Sequence, residues 1–400
     1  MSLLDITSQI LGFIVAGTLI FWLGFFVRLL RMNKGKPTIR EGLSLDIDDS
    51  KLVSIIVPAH NEQRVIDRCA KALRRQSYKN IQIVFVLDRC TDDTLNILQK
   101  HAAEDDRVMI IENDSCPDDW AGKCNAARLG SKSATGEWLL FTDADTNFDK
   151  DLVRCAIASA TKRGASLLSL LSSLTTENFF EKVVQPVAST FLVRLYPVDR
   201  VNRKENPRPF ANGQFLLFKR DAYESIGGHH AVHEALLEDI AFARAIHNDE
   251  NRVQILFADG MLAVSMYANY QAFKEGWKRI YIEACHRNVK RLRESAVISL
   301  LFNIGFPLAA IAGIVVGQVH SPILLWTAVA SLFMYGVNVS WLYKLNHASP
   351  LFVLFAPFGG IAVAGILFGA AHMLTHRIQS SGAGDLIFWS QQINEHFADK

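Results

Sequence analysis

Two aspartates, Asp143 and Asp145, stand at the end of the segment Leu139-Leu-Phe-Thr-Asp-Ala-Asp-Thr-Asn147. The segment reads as a short buried strand, and side chains two apart on extended backbone point the same way. Two like charges side by side repel, so both stay ionised only beside something positive. A divalent cation with hard oxygen ligands meets that need. Such an ion keeps positions open for water and phosphate oxygens, so its natural companion is a diphosphate. The plainer alternative is a strand-end turn in which Asp143 and Asp145 cap the next helix.

Short apolar runs must position this pair. Leu52-Val-Ser-Ile-Ile-Val-Pro58 is a β-branched strand closed by proline. The loop Ala59-His60-Asn61-Glu62 leads from it into a helix with Val65, Cys69, Ala72 and Leu73 on one face. Ile81–Leu87 is a second buried strand, running into Asp88 and the polar stretch Arg89–Thr94, where Thr91 is an expected N-cap. A helix to about His101, a strand at Val108–Ile111, a loop with Lys123, a further helix and the strand Trp138–Thr142 follow. Such alternation predicts a parallel α/β sheet covered on both faces. Ligands of such sheets bind beyond the carboxyl ends of the strands, where His60–Glu62, Asp88 and Asp143/Asp145 would converge.

Further along, Phe210-Ala-Asn-Gly-Gln-Phe215 is a turn before the strand Phe215–Lys219. Asp221–Gly228 reads as a short helix with a glycine stop. Glu238 and Asp239 open a helix over Ile240–Ile246, where acids complement the helix dipole whatever else they do. His229, His230 and His233 lack metal-ligand spacing and read as a mobile loop.

The chain has 400 residues, 50% of them hydrophobic, and a formal net charge of +2, which points to no nucleic acid or other polyanionic partner. Ile10–Val27 contains no charge, and Ser295–His376 contains only Lys344. About 20 apolar residues cross a bilayer, so one span is expected near the N-terminus and three more near Ala296–Gly317, Ile323–Tyr343 and Leu351–Leu374. Arg28, Arg31, Lys34 and Lys36 follow the first span, and Arg287, Lys290, Arg291 and Arg293 precede the second. By the positive-inside rule the intervening domain is cytoplasmic, in a multi-pass protein of the plasma (inner) membrane. The expected division is an anchor at 1–36, a catalytic domain at 51–268, an amphipathic helix at 269–294, spans at 295–375 and a tail at 376–400, whose side of the membrane is left open. In the amphipathic segment Phe273, Trp277, Tyr281 and Ala284 share one face among basic residues, the pattern of a helix lying in the membrane interface with Trp277 as anchor. Phe179, Phe180, Val183 and Val184 form either a second interfacial patch or a core helix. Six cysteines without metal-ligand spacing are expected to be free thiols.

As an ordered set, Val53–Glu62, Leu87–Thr94, Thr142–Asp145 and Glu238-Asp239 resemble the successive motifs of family 2 glycosyltransferases with the GT-A (Rossmann-like) fold. The resemblance covers roughly Leu52 to Arg287. Trp120-Ala-Gly-Lys-Cys-Asn125, Met266-Tyr267 and Glu275-Gly-Trp277 are similar to membrane-bound members that transfer one sugar to a lipid, as in ceramide glucosyltransferase-like, hopanoid-associated and carotenoid enzymes. The resemblance implies roles. Pro58, Ala59, Asn61, Glu62 and Asp88 would hold the base and ribose of a nucleotide-sugar, and Lys123 would meet its diphosphate. Asp145 and Asp143 would bind Mg or Mn. Gly213 would let backbone approach the donor sugar, Trp277 would contact substrate at the lipid edge, and Asp239, beside Glu238, would be the general base.

Processive synthases of the family carry Gln-x-x-Arg-Trp where this chain has Gly276-Trp277-Lys278-Arg279. The departure favours one sugar per acceptor over polymerisation. The implied function is inverting, metal-dependent transfer of a single sugar from a nucleotide-sugar, UDP-linked, to a membrane lipid. A polyprenyl-phosphate acceptor and an inactive membrane scaffold are the alternatives.

Overall fold

The computed structural model describes residues 3–174, 178–203, 205, 208–235, 237–247, 252–264 and 269–380. Two compact units emerge. One comprises residues 37–174 and 196–266, the other residues 1–36, 175–195 and 267–377.

The first unit is built on ten strands: β1 (Val53–Ala59), β2 (Ile81–Asp88), β3 (Val108–Asn113), β4 (Trp138–Phe141), β5 (Thr146–Phe148), β6 (Leu167–Leu171), β7 (Ser173–Leu174), β8 (Leu216–Lys219), β9 (Val253–Phe257) and β10 (Leu262–Val264). Seven form a sheet in the order β3-β2-β1-β4-β8-β6-β9, and β5-β10-β7 form a small second sheet. Pairing among β3, β2, β1 and β4 is parallel. The expected wholly parallel sheet is corrected by β8, which runs antiparallel to both β4 and β6. The turn at Asn212–Phe215 reverses the chain and slots Leu216–Lys219 between two strands laid down earlier.

The central strands are near-continuous apolar runs because both faces are covered. Val53, Ile55, Ile56, Val57, Ile83, Val84, Phe85 and Val86 are all fully buried. The helix after β2 is Thr94–Glu104, capped at Asp93, and Asp92 Oδ1 accepts from Thr94 N–H at 3.0 Å. Thr91 is therefore not the cap. Its own N–H donates to Asn61 Oδ1 at 2.8 Å, which ties the loop after β1 to the loop after β2.

In the second unit, four helices are long and apolar enough to cross a membrane: Ile6–Lys34, Val289–His320, Pro322–Leu345 and Pro350–His376. They coincide with the one-plus-three pattern expected. Phe13, Val319, Ile323 and Leu351 on these helices are 78–81% exposed, a burden that lipid would relieve. Polar side chains join the helices inside: Thr18 and Ser331 hydroxyls meet at 2.8 Å, and Asn338 Nδ2 donates to Trp22 O at 3.1 Å.

The helix Tyr270–Ala284 turns its aromatic stripe inward. Phe273, Trp277 and Tyr281 are at most 2% exposed, and the Tyr281 hydroxyl donates to Ala188 O at 3.1 Å. The Trp277 anchor expected at a lipid surface is thus a packed core side chain. The segment at Phe179 divides: Val183 and Val184 are buried, whereas Phe179 is exposed. The tail beyond 380 and Met266-Tyr267 lie outside the described residues. All six cysteines are free thiols.

Candidate active site

Every expected site residue except Trp277 belongs to the strand-bearing unit. A pocket of about 240 Å³ opens beyond the carboxyl ends of β1, β2 and β4, lined by Pro58–His60, Glu62, Asp88, Lys123 and Asp143–Asp145.

Asp88 ends β2 and is 3% exposed. Its carboxylate is held by Arg89 Nη2 at 2.9 Å and by Asn113 Nδ2 at 2.8 Å. Asn113 ends β3 and Arg89 sits at φ +51°, in the left-handed region. A Cβ at Gly122 would lie 2.5 Å from Asp88 Oδ2 and 2.7 Å from Arg89 Nη2. Only glycine lets the helix Gly122–Ser133 begin this close, which brings Lys123 into the pocket. His60 Nδ1 lies 2.5 Å from Asp88 O. Asn61 and Glu62 shape the rim differently: the Asn61 side chain is committed to Thr91, and Glu62 N–H donates to Thr94 Oγ1 at 2.9 Å.

The aspartate pair lies in the turn between β4 and β5 and not on an extended strand, which corrects the strand-end reading. Thr146 Oγ1 donates to Asp143 O at 2.7 Å, and Thr142 Oγ1 donates to Gln214 O at 2.8 Å. Buried Ala144 pins the turn inward between the two acids. Neither aspartate caps a helix, because β5 intervenes and the next helix, Leu152–Arg163, is capped at Asp151. Burial pushes Asp145 up to about 7, with the charges of Asp143 and Glu62 adding to it. Burial and then Asp143 also raise Glu62.

Lys123 joins the two acidic clusters. Its Nζ lies 2.8 Å from Asp143 Oδ1 and 3.0 Å from Glu238 Oε1. Burial works against its charge, but Asp143 and Glu238 outweigh that and hold its pKa well above the ordinary lysine value. Burial likewise opposes the Glu238 charge, yet the Lys123 ammonium brings Glu238 below its usual range. On Asp239 the Lys123 charge is the smallest of the influences. Burial, and then the Glu238 charge, push it up to about 7. Asp239 Oδ2 accepts from Gly213 N–H at 2.7 Å, and a Cβ at Gly213 would sit 3.3 Å from that oxygen. Gly213 therefore meets Asp239, a contact that the sequence did not reveal.

The donor set fits a hard divalent cation. Asp145 Oδ1 is buried without a hydrogen-bond partner, an expensive state for a carboxylate oxygen. Among the described residues no three His, Cys, Asp or Glu side chains converge. Two carboxylates would leave the remaining positions to phosphate oxygens and water.

Two expectations fail here. The histidine segment is not a loose loop: His229 is 3% exposed, packed on Phe141 and Phe242, with Nδ1 2.7 Å from the Tyr223 hydroxyl. Burial pushes it down to about 3, so it is neutral. His233 stacks on Trp120 at 5.0 Å between ring centres. Trp277, in the other unit, is too buried to offer a substrate surface. Asn113 and Arg89 were missed. Asn113 stands at a fourth strand end, and a rule that surveyed every parallel strand end would have found it.

Residues 54–227 match the model of the glycosyl transferase family 2. The chain is 23% identical over 238 residues to the 4,4'-diaponeurosporenoate glycosyltransferase of Staphylococcus haemolyticus, covering 58% of this chain and 61% of that protein. It is 26% identical over 241 residues to the beta-monoglucosyldiacylglycerol synthase of a Nostoc species, covering 58% and 50%. The chain spans from 14% to 61% of the length of the first curated relatives it matches. Among solved structures, the mannosyltransferase PcManGT from Pyrobaculum calidifontis, in complex with GDP-Man and Mn2+, aligns over 91% of this chain and 99% of that one, at 18% identity and a TM-score of 0.51. With its mixed seven-stranded sheet and its acids at the strand ends, the chain carries a glycosyl transferase family 2 domain of the GT-A fold.

Proposed function

We propose that the protein is an inverting, metal-dependent glycosyltransferase that moves one sugar from a UDP-linked donor to a membrane lipid. The observation that carries this reading is Lys123, which ties the aspartate pair after β4 to the Glu238–Asp239 pair within one site. Glycosyl transfer needs those two elements together, one at the diphosphate and one at the acceptor.

In this reading Asp88, fixed by Asn113 and Arg89, accepts from the N3–H of uracil or a ribose hydroxyl. The loop Pro58–Glu62 walls the base, with Asn61 acting through the loop it holds. Asp145 and Asp143 would hold Mg or Mn, which would offset the diphosphate charge and stabilise the departing nucleoside diphosphate. Asp239 takes the proton of an acceptor hydroxyl while that oxygen bonds to the anomeric carbon. The bond from that carbon to the diphosphate breaks, and its electron pair leaves with the nucleotide. One displacement inverts the centre, so an α-linked donor gives a β-linked product. The raised pKa of Asp239 suits it to this task near neutral pH.

The lipid acceptor is supported by the four apolar helices and by relatives named for diaponeurosporenoate and glucosyldiacylglycerol. The basic residues flanking the first two spans support a cytoplasmic catalytic unit in the plasma membrane. The test is incubation of detergent-purified protein with Mn2+, membrane lipid extract and a panel of nucleotide-sugars. Mass spectrometry should find a lipid heavier by one sugar, and NMR a β-anomer. A lengthening sugar ladder, or an α-anomer from an α-donor, would overturn the reading.

A further inference from the structure

Lys123 occupies an unusual position. Its ammonium touches Asp143, a carboxylate suited to a metal, and Glu238, the neighbour of the proposed base. The side chain is 47% exposed and lines the open pocket. Asp145 Oδ1, two residues from Asp143, is buried and has no hydrogen-bond partner. The ammonium thus pairs with one aspartate and leaves Oδ1 of the other without a hydrogen bond.

We propose that Lys123 is a placeholder for the divalent cation, holding Asp143 until metal and nucleotide diphosphate arrive together and then exchanging partners with them. This inference rests on the metal-dependent reading above. Before loading, the pairs are Lys123 with Asp143 and metal with diphosphate. After loading, Asp143 pairs with the metal, and the Lys123 ammonium, still against Glu238, is free to take a diphosphate oxygen. Charge is conserved in the exchange, and Asp143 is never left without a cation.

Either ligand alone meets resistance. Metal alone must displace an ammonium that gains nothing in return. Diphosphate alone meets Asp143 and Asp145 as like charges. Together they remove each other's obstacle, which is a positive coupling between two ligands. Because Glu238 keeps the second hydrogen bond, the helix Glu238–Ile246 is also linked to donor loading.

The experiment is titration of Mn2+ into the detergent-purified full chain, reading free Mn2+ by electron paramagnetic resonance, with and without UDP. K123Q and K123M are compared with the unmodified protein, and thermal unfolding profiles confirm that each variant folds. In the unmodified protein, UDP should tighten Mn2+ binding by roughly 5- to 150-fold, the usual range of such coupling. Both variants should bind Mn2+ alone more tightly than the unmodified protein, and UDP should add less. If the unmodified protein binds Mn2+ but both variants bind it alone no more tightly, Lys123 is a plain diphosphate ligand and the inference falls while the metal reading stands. If no form binds Mn2+ even with UDP, the metal reading falls and takes the inference with it.

Discussion

The backbone N–H of Gly213 donates to Asp239 Oδ2 at 2.7 Å. Asp239 Oδ1 in turn accepts from Ile240 N–H, also at 2.7 Å. The carboxylate is thereby fixed by main chain on both sides, with the turn before β8 and the start of a helix as its clamps. A methyl group at Gly213 would stand 3.3 Å from Oδ2 and would have to push it by a few tenths of an ångström. Small displacements of a catalytic group are costly. Gly213→Ala is expected to lower kcat by about tenfold with little change in the donor KM, as steady-state kinetics would show. An equal rise in KM would mean that Gly213 serves the donor sugar directly.

Asp239 and Asp145 should fail differently. Asp239→Asn removes a base while leaving the pocket charge at the diphosphate end alone, so UDP should bind as before. Transfer should fall about 10²- to 10⁴-fold, the range for loss of a general base. Asp145→Asn should instead weaken Mn2+-dependent UDP binding. Calorimetry with UDP and Mn2+ on both variants separates the two roles, and near-normal turnover in Asp239→Asn would remove the base assignment.

The pH dependence follows from the acid held at about 7. The base form of Asp239 is the ionised one, and its folded pKa is raised by burial and by Glu238. Transfer should therefore rise with pH through about 7 and fall roughly tenfold per unit below it. Glu238→Gln removes the neighbouring negative charge, so the rising limb should move to lower pH. The same shift bears on stability: a carboxyl whose folded pKa lies above its unfolded value favours the fold below pH 4 and loses that contribution as pH climbs through about 7. A kcat profile of both proteins from pH 5 to 9, with Mn2+ saturating, reads the catalytic part directly.

Asn113 was not visible as a site residue, yet its Nδ2 donates to Asp88 at 2.8 Å. Asn113→Ala would leave a buried carboxylate oxygen short of a donor, a loss of about 1–3 kcal/mol. UDP affinity measured by calorimetry should drop by about tenfold, with Mn2+ binding unchanged. Equal losses in both would show that the whole pocket had collapsed.

Much of this architecture was legible in residue order. β-Branched runs announced β1 and β2, a short apolar run announced β4, and uncharged stretches announced four long helices. Acids at strand ends pointed to one pocket. What was hidden depended on direction and partnership. Phe215–Lys219 reads the same whether it enters a sheet parallel or antiparallel, so β8 betrayed nothing of its reversal. Phe273, Trp277 and Tyr281 mark one helix face, but spacing does not say whether that face meets lipid or protein. His229 looked like part of a polar loop because its aromatic neighbours Phe141 and Phe242 are distant in the chain. The Lys123 bridge joins residues 20 and 115 positions apart, which no local pattern encodes.

The most direct test is nucleoside diphosphate release by the purified protein in detergent, supplied with UDP-sugars in four conditions: with and without Mn2+, and with and without membrane lipid. Release only when Mn2+ and lipid are both present is the expected result. Lipid-independent release equal to the full rate would contradict a lipid acceptor, and undiminished release in chelator would contradict the metal at Asp143 and Asp145.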